Sequence, residues 1–232
     1  MALVKFGAGV AQMSGSIEGT VYARNRFGSY ARNRAIPVNP NTARQNTVRG
    51  LMADLTQQWT SVLTEAQRAA WANYAAAISV KNRLGEDVFL TALNHYIRSN
   101  VARIQAGLDR VDDGPATLTL PGEDTTISFT ATASGNALSV SFDDSLDWLD
   151  ETGGALLIRV GQPQGTGINF FAGPFRFADA VEGDDSTPPS TPASITAPWE
   201  ISAGQKIFLE ARIARADGRL SNPFRPDAAI SS

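Results

Sequence analysis

Apolar positions change their period twice along the chain. In residues 16–36, Tyr and Val alternate with small residues over two short stretches, 17–24 and 29–36, joined by Asn25-Arg26-Phe27-Gly28. A glycine at the end of that connection supplies the positive φ of a tight turn, so the pattern predicts a β-hairpin. After Pro37-Val38-Asn39-Pro40, a segment that two prolines push toward extended backbone, the period becomes helical. Val48, Leu51, Met52, Leu55, Trp59 and Val62 recur every three or four residues behind Asn41 or Thr42 as the N-cap. Thr64-Glu65-Ala66-Gln67 has the form of a capping box and starts a second helix at Glu65, with Trp71, Tyr74 and Ile78 on one face. Phe89, Leu93, Tyr96, Ile97, Val101 and Ile104 predict a third helix ending near Gly107. From Thr117 onward the period falls to two, with Ile127, Phe129 and Ala131, then Leu138, Val140 and Phe142, alternating with polar residues. Further strands are predicted at 155–160, 169–177 and 206–215.

The fold class that follows is a multidomain α+β chain. Residues 1–40 form an extended arm with a hairpin, residues 41–110 a small three-helix bundle, and residues 116–232 an antiparallel β-sandwich of immunoglobulin or fibronectin type III character. Residues 109–115 read as the linker. Gly183 to Pro192, rich in Asp, Ser, Thr and Pro, reads as an exposed loop.

Composition sharpens this picture by exclusion. Among 232 residues there is no Cys and one His, so disulfide frameworks, thiolate metal sites and thiol nucleophiles are absent, and no cofactor is indicated. His95 falls off the apolar stripe of the third helix and is expected at its surface or boundary. No Gly-x-Ser-x-Gly elbow accompanies it. The acidic run from Asp143 to Glu151 lacks the spacing of a calcium loop, and the glycines at 165 and 167 lack the Lys of a phosphate loop. No apolar run approaches the roughly 18 residues of a membrane span, and no secretory signal pattern is visible, so a soluble chain made in a cytoplasm is expected.

Charge changes the picture most. The net of −3 conceals a polarised chain: residues 1–110 carry 13 Lys/Arg against 6 Asp/Glu, and residues 111–232 carry 7 against 17. Within the basic part, Arg24, Arg26, Arg32 and Arg34 crowd one hairpin together with Tyr22, Phe27 and Tyr30. Guanidiniums so close repel unless something anionic lies near, and Arg and Tyr are enriched where interfaces carry their energy. These seven residues are the candidate partner-binding site; no catalytic or metal-ligating set is expected.

The run 19–34 (GTVYARNRFGSYARNR), followed by 37–45 (PVNPNTARQ) and 63–71 (LTEAQRAAW), resembles the opening of a family of proteins from tailed bacteriophages and prophages. The resemblance covers residues 15 to about 105, and the β domain in style alone. It implies a non-enzymatic virion structural component, a capsid decoration or tail-associated protein, made in the host cytoplasm. Its partners would be other virion proteins and further copies of itself, without a membrane. A nucleic-acid-binding module, with the same arginines on phosphates and the aromatic rings on bases, is the alternative reading of the hairpin.

Overall fold

The computed structural model describes residues 2–25, 28–81 and 87–231. Its contacts gather into two compact units, Met1–Asn46 and Thr47–Ser232. The first unit holds β1 (Ala2–Leu3), β2 (Gly15–Ile17), β3 (Thr20–Asn25) and β4 (Gly28–Asn33), in an antiparallel sheet of order β1-β4-β3-β2. The predicted hairpin is β3–β4, closed at Gly28 with φ +117°. The stretch expected as one strand over 17–24 is broken at Glu18-Gly19, where Glu18 takes φ +47°, so Ile17 belongs to β2. Among the described side chains of this unit none is buried.

Helix α1 (Ala43–Ser61) starts behind Thr42. The Gln45 amide donates to the Thr42 hydroxyl at 3.3 Å, and the Thr42 amide donates to Gln45 Oε1 at 3.3 Å, so Thr42 rather than Asn41 is the cap. Helix α2 (Glu65–Ala77) begins where the sequence places it, with both bonds of the Thr64–Gln67 capping box formed. Helix α3 (Ala92–Gln105) is shorter than expected, capped by Thr91. Phe89 is not on it: Phe89 pairs with Ser79 in a small hairpin of β5 (Ser79–Lys81) and β6 (Asp87–Phe89), and is 63% exposed. A strand partner ten residues upstream overrides a local apolar spacing that reads equally well as helix.

The remaining strands are β7 (Ser128–Thr132), β8 (Ala137–Ser141), β9 (Ala155–Gly161), β10 (Gln164–Gly165), β11 (Phe175–Glu182), β12 (Ala193–Thr196), β13 (Gln205–Ala214) and β14 (Asp227–Ser231). They form a single sheet of order β11-β9-β13-β14-β7-β8-β12, with β10 added beside β13. All neighbours are antiparallel except β14 and β7. The sheet curls until its end strands β11 and β12 approach each other. Its concave side is filled by Phe129, Leu138 and Val140, which the sequence marks by alternation, and by Leu156, Ile158, Leu209 and Ile213, joined by Trp148 and Leu149 from the acidic run. The chain is thus α+β with a mainly antiparallel curled sheet, in which the parallel β14–β7 pair joins strands β7, β8 and β12 to β9, β11 and β13.

The helices form a layer on this sheet rather than a free bundle. One side of α3 meets α1 and α2 around Leu55, Trp71, Tyr74 and Tyr96. The other side lays Ala102 and Ala106 on Ala155, Leu157 and Ala214 of the convex sheet face. Arg103, 3% exposed, lies in this joint, donating from Nε to the Asp109 carbonyl at 2.8 Å and from Nη1 to the carbonyls of Gly153 (2.9 Å) and Arg215 (2.7 Å). The segment 109–115 is packed along the helices. Trp71 Nε1 donates to the Asp112 carbonyl at 2.9 Å, Asn100 bonds both the amide and the carbonyl of Val111, and a Cβ at Gly114 would collide with the α2 backbone.

Packing on two sides corrects the placement of His95. It is fully buried, edge-on to Tyr74 at 5.3 Å between ring centres, with neither ring nitrogen hydrogen-bonded. Burial first, and the Arg98 guanidinium second, push its pKa down to about 4. In the unfolded chain the imidazole takes a proton near pH 6.5, in the folded chain only near pH 4, so across that window the unfolded state binds more protons. Stability is therefore expected to fall as pH drops from about 6.5 to 4, by about 3 kcal/mol in total. Urea titrations at pH 7 and pH 4 read this directly, and His95→Phe, which keeps the ring contact, should remove that part of the loss. Equal losses in both proteins would assign the acid sensitivity elsewhere.

Candidate functional site

The N-terminal sheet is where the charge argument places function, and its register decides which side chains can act together. Tyr22 faces Ala31 and Arg24 faces Ser29 across the β3–β4 pair, whereas Arg32 faces Val21 and Tyr30 faces Ala23. Side chains alternate along a strand and directly opposed residues share a face. Tyr22 and Arg24 therefore lie on one face of the sheet, and Tyr30 and Arg32 on the other. Arg34 follows the end of β4, its amide donating to the Gly19 carbonyl at 2.7 Å. Arg26 and Phe27 lie outside the described residues.

The five described residues of the candidate site are thus not one cluster; Tyr22 and Arg24 lie on one face, Tyr30 and Arg32 on the other, and Arg34 beyond the end of β4. The signal for this was present in the sequence. The four-residue connection 25–28 pairs even positions with odd ones, so even-numbered Tyr22 and Arg24 cannot share a face with even-numbered Tyr30 and Arg32. Arg24, Arg32 and Arg34 are exposed, and among the described residues their side chains make no ion pair or hydrogen bond. Tyr22 and Tyr30 are half-buried, as are Val21, Ala23 and Ala31. Each face thus offers one aromatic ring beside one guanidinium whose donors are unspent, a combination suited to carboxylates, phosphates and flat apolar surface. The unit Met1–Asn46 carries six Lys/Arg against Glu18 alone.

Comparison with protein-family models, curated proteins and solved structures returns no match. Function rests on the geometry.

Elsewhere the chemistry is sparse. Among the described residues no group of three or more His, Cys, Asp or Glu is placed to hold a metal ion, and no helix is long and apolar enough to cross a membrane. The acidic run is an inter-strand loop in which two carboxylates are used structurally: Asp143 caps the Ser145 amide at 2.9 Å, and Glu151 pairs with Arg215. The Gly165 region forms a turn, the Ile168 amide donating to the Gly165 carbonyl at 3.0 Å. One concentration of charge escaped the sequence reading altogether. Arg159, Glu210, Arg212 and Arg225 are scattered along the chain and meet on the convex sheet face.

Proposed function

We propose that this chain is a non-enzymatic structural component of a tailed-phage virion, a capsid decoration or tail-associated protein that docks through its basic N-terminal sheet. The observation that carries the reading is that the first unit forms four paired strands without one buried side chain among those described. So small a sheet gains little from its own packing, and its stability depends on a surface that covers it. Its two faces, Tyr22 with Arg24 on one and Tyr30 with Arg32 on the other, suit insertion between two neighbouring subunits. The unpaired guanidiniums would form charge-assisted bonds with carboxylates there. The acidic C-terminal half offers such carboxylates on other copies of the same chain, which supports homo-oligomeric packing in the assembled particle. The resemblance of segments 19–34, 37–45 and 63–71 to phage and prophage proteins supports the same assignment.

The strand order also supports reading the curled sheet as an immunoglobulin or fibronectin type III sandwich. Strands β7, β8 and β12 would make one layer and β11, β9, β13 and β14 the other, linked at the β14–β7 edge. Particle outer surfaces are a natural place for such a module, with its acidic loops in solvent.

Mass spectrometry of particles from cells carrying the gene tests the proposal. The chain should be present at many copies per particle, and the double variant Arg32→Ala, Arg34→Ala should be lost from otherwise intact particles. Particles that lack the wild-type chain would overturn the assignment. The nucleic-acid reading draws on the same exposed arginines, but a single strand would meet only one face of the sheet. Its signature would be binding to random-sequence DNA that weakens steeply with salt and disappears in the same double variant.

A further inference from the structure

Beyond the patch covered by α3, the convex face of the curled sheet carries three guanidiniums around one carboxylate, with a fourth acting on one of them. Arg159 on β9 and Glu210 on β13 are direct cross-strand partners, and Arg212 lies two residues further along β13 on the same face. Arg225 reaches in from the segment between β13 and β14, and Arg98 from α3. Glu210 is 5% exposed, and its Oε2 accepts from Arg225 Nε at 3.0 Å and Nη2 at 2.7 Å. Its other oxygen stands 3.9 Å from Arg159 Nη1 and 3.7 Å from Arg212 Nε, near enough for attraction and too far for hydrogen bonds. Arg98 is committed to the carbonyls of Leu220 and Ser221.

A purely structural role for this group accounts for one pair, Glu210 with Arg225. It leaves Arg159 and Arg212 in a cluster with four positive charges and one negative. The Arg212 Nε is buried without a hydrogen-bond partner, and burial together with Arg98, Arg159 and Arg225 lowers the Arg212 pKa to about 10. Like charges drawn together at that cost call for an anion. Access is kept: the side chains of Arg159, Arg212 and Arg225 remain 29%, 20% and 41% exposed, with Arg225 braced over the Phe175 ring at 5.2 Å. Planar guanidiniums that each retain free donors match the oxygens of a tetrahedral anion.

We propose that Arg159, Arg212 and Arg225, spaced by Glu210, form an oxyanion site that takes a phosphate or sulfate group. The anion meets the outward donors of the three arginines, and Glu210 holds them apart as a fixed counter-charge. This site lies in the second unit and is independent of the docking role assigned to the first.

Titration of the full chain with inorganic phosphate at constant ionic strength tests it, followed by calorimetry and by the side-chain Nε–H signals of Arg159 and Arg212 in the wild-type protein. Saturable binding with Kd of about 1 mM or tighter is expected, with both signals shifting along the same isotherm. The double variant Arg159→Gln, Arg212→Gln should bind at least about tenfold more weakly, whereas Arg44→Gln, a change at an exposed residue of α1, should bind as wild type. Glu210→Gln, which removes the competing negative charge, should tighten binding. A second titration with a sugar phosphate monoester separates two sources: equal affinity marks a free ion, and tighter binding marks a phosphate carried on a larger ligand. Absence of saturable binding, or shifts that chloride reproduces at equal ionic strength, would overturn the proposal.

Discussion

Trp71→Ala is expected to cost the protein about 3–5 kcal/mol, the range for truncating a fully buried large aromatic residue. Trp71 is inaccessible to solvent and stands edge-on to Tyr74 and Tyr96, with ring centres 6.0 Å and 5.7 Å away. Its indole nitrogen holds the Asp112 carbonyl, and Gly218, close beside the ring, admits it because a Cβ there would come within 3.3 Å of Cη2. The residue therefore ties α2 to α3, to the strap 109–115 and to the turn after β13 at once. Urea unfolding gives the measurement. Trp71→Phe, which keeps most of the ring and loses the hydrogen bond, should cost about 1–2 kcal/mol. A loss below about 1 kcal/mol for the Ala variant would mean that the helical layer is held mainly by other contacts.

The second large effect is expected from Arg103→Ala, also about 3–5 kcal/mol. Its guanidinium is the donor for three main-chain carbonyls, those of Asp109, Gly153 and Arg215, drawn from three separate stretches of chain. Deleting it strands those acceptors and removes the stem that packs between helix and sheet. Arg103→Met restores the stem without the donors, so the difference between the two variants separates packing from hydrogen bonding. Arg103→Lys, a single ammonium in place of a planar fork, should recover less than half of the loss. Because Arg103 and Trp71 both secure the strap 109–115, their double variant should lose less than the two single losses combined. Full additivity would show that the strap does not couple them.

Much of this architecture was legible from residue order. The cap at Thr64 and the start of α2 depend on bonds between residues three apart, and such local rules read straight off the chain. The hairpin β3–β4 and the alternation of Phe129, Ala131, Leu138 and Val140 are equally local, because a two-residue period already says which side faces the core. The polarity of charge, and with it the choice of the N-terminal sheet as the candidate site, came from counting alone.

Other features depend on which element lies against which. Phe89 fits a helix by spacing and becomes strand because residues 79–81 offer it a partner. His95 looks like a boundary residue by periodicity and is buried, because α3 is covered by helices on one side and by the sheet on the other; a stripe pattern reports one face only. The convergence of Arg159, Glu210, Arg212 and Arg225 has no linear signature, since cross-strand neighbours are brought together by register rather than by sequence distance. Residue order thus determined the start and cap of α2, the β3–β4 hairpin, the alternation along β7 and β8, and the imbalance of charge. Tertiary packing alone decided which polar groups are removed from water and which guanidiniums meet, because desolvation and Coulomb interaction act across space and not along the backbone.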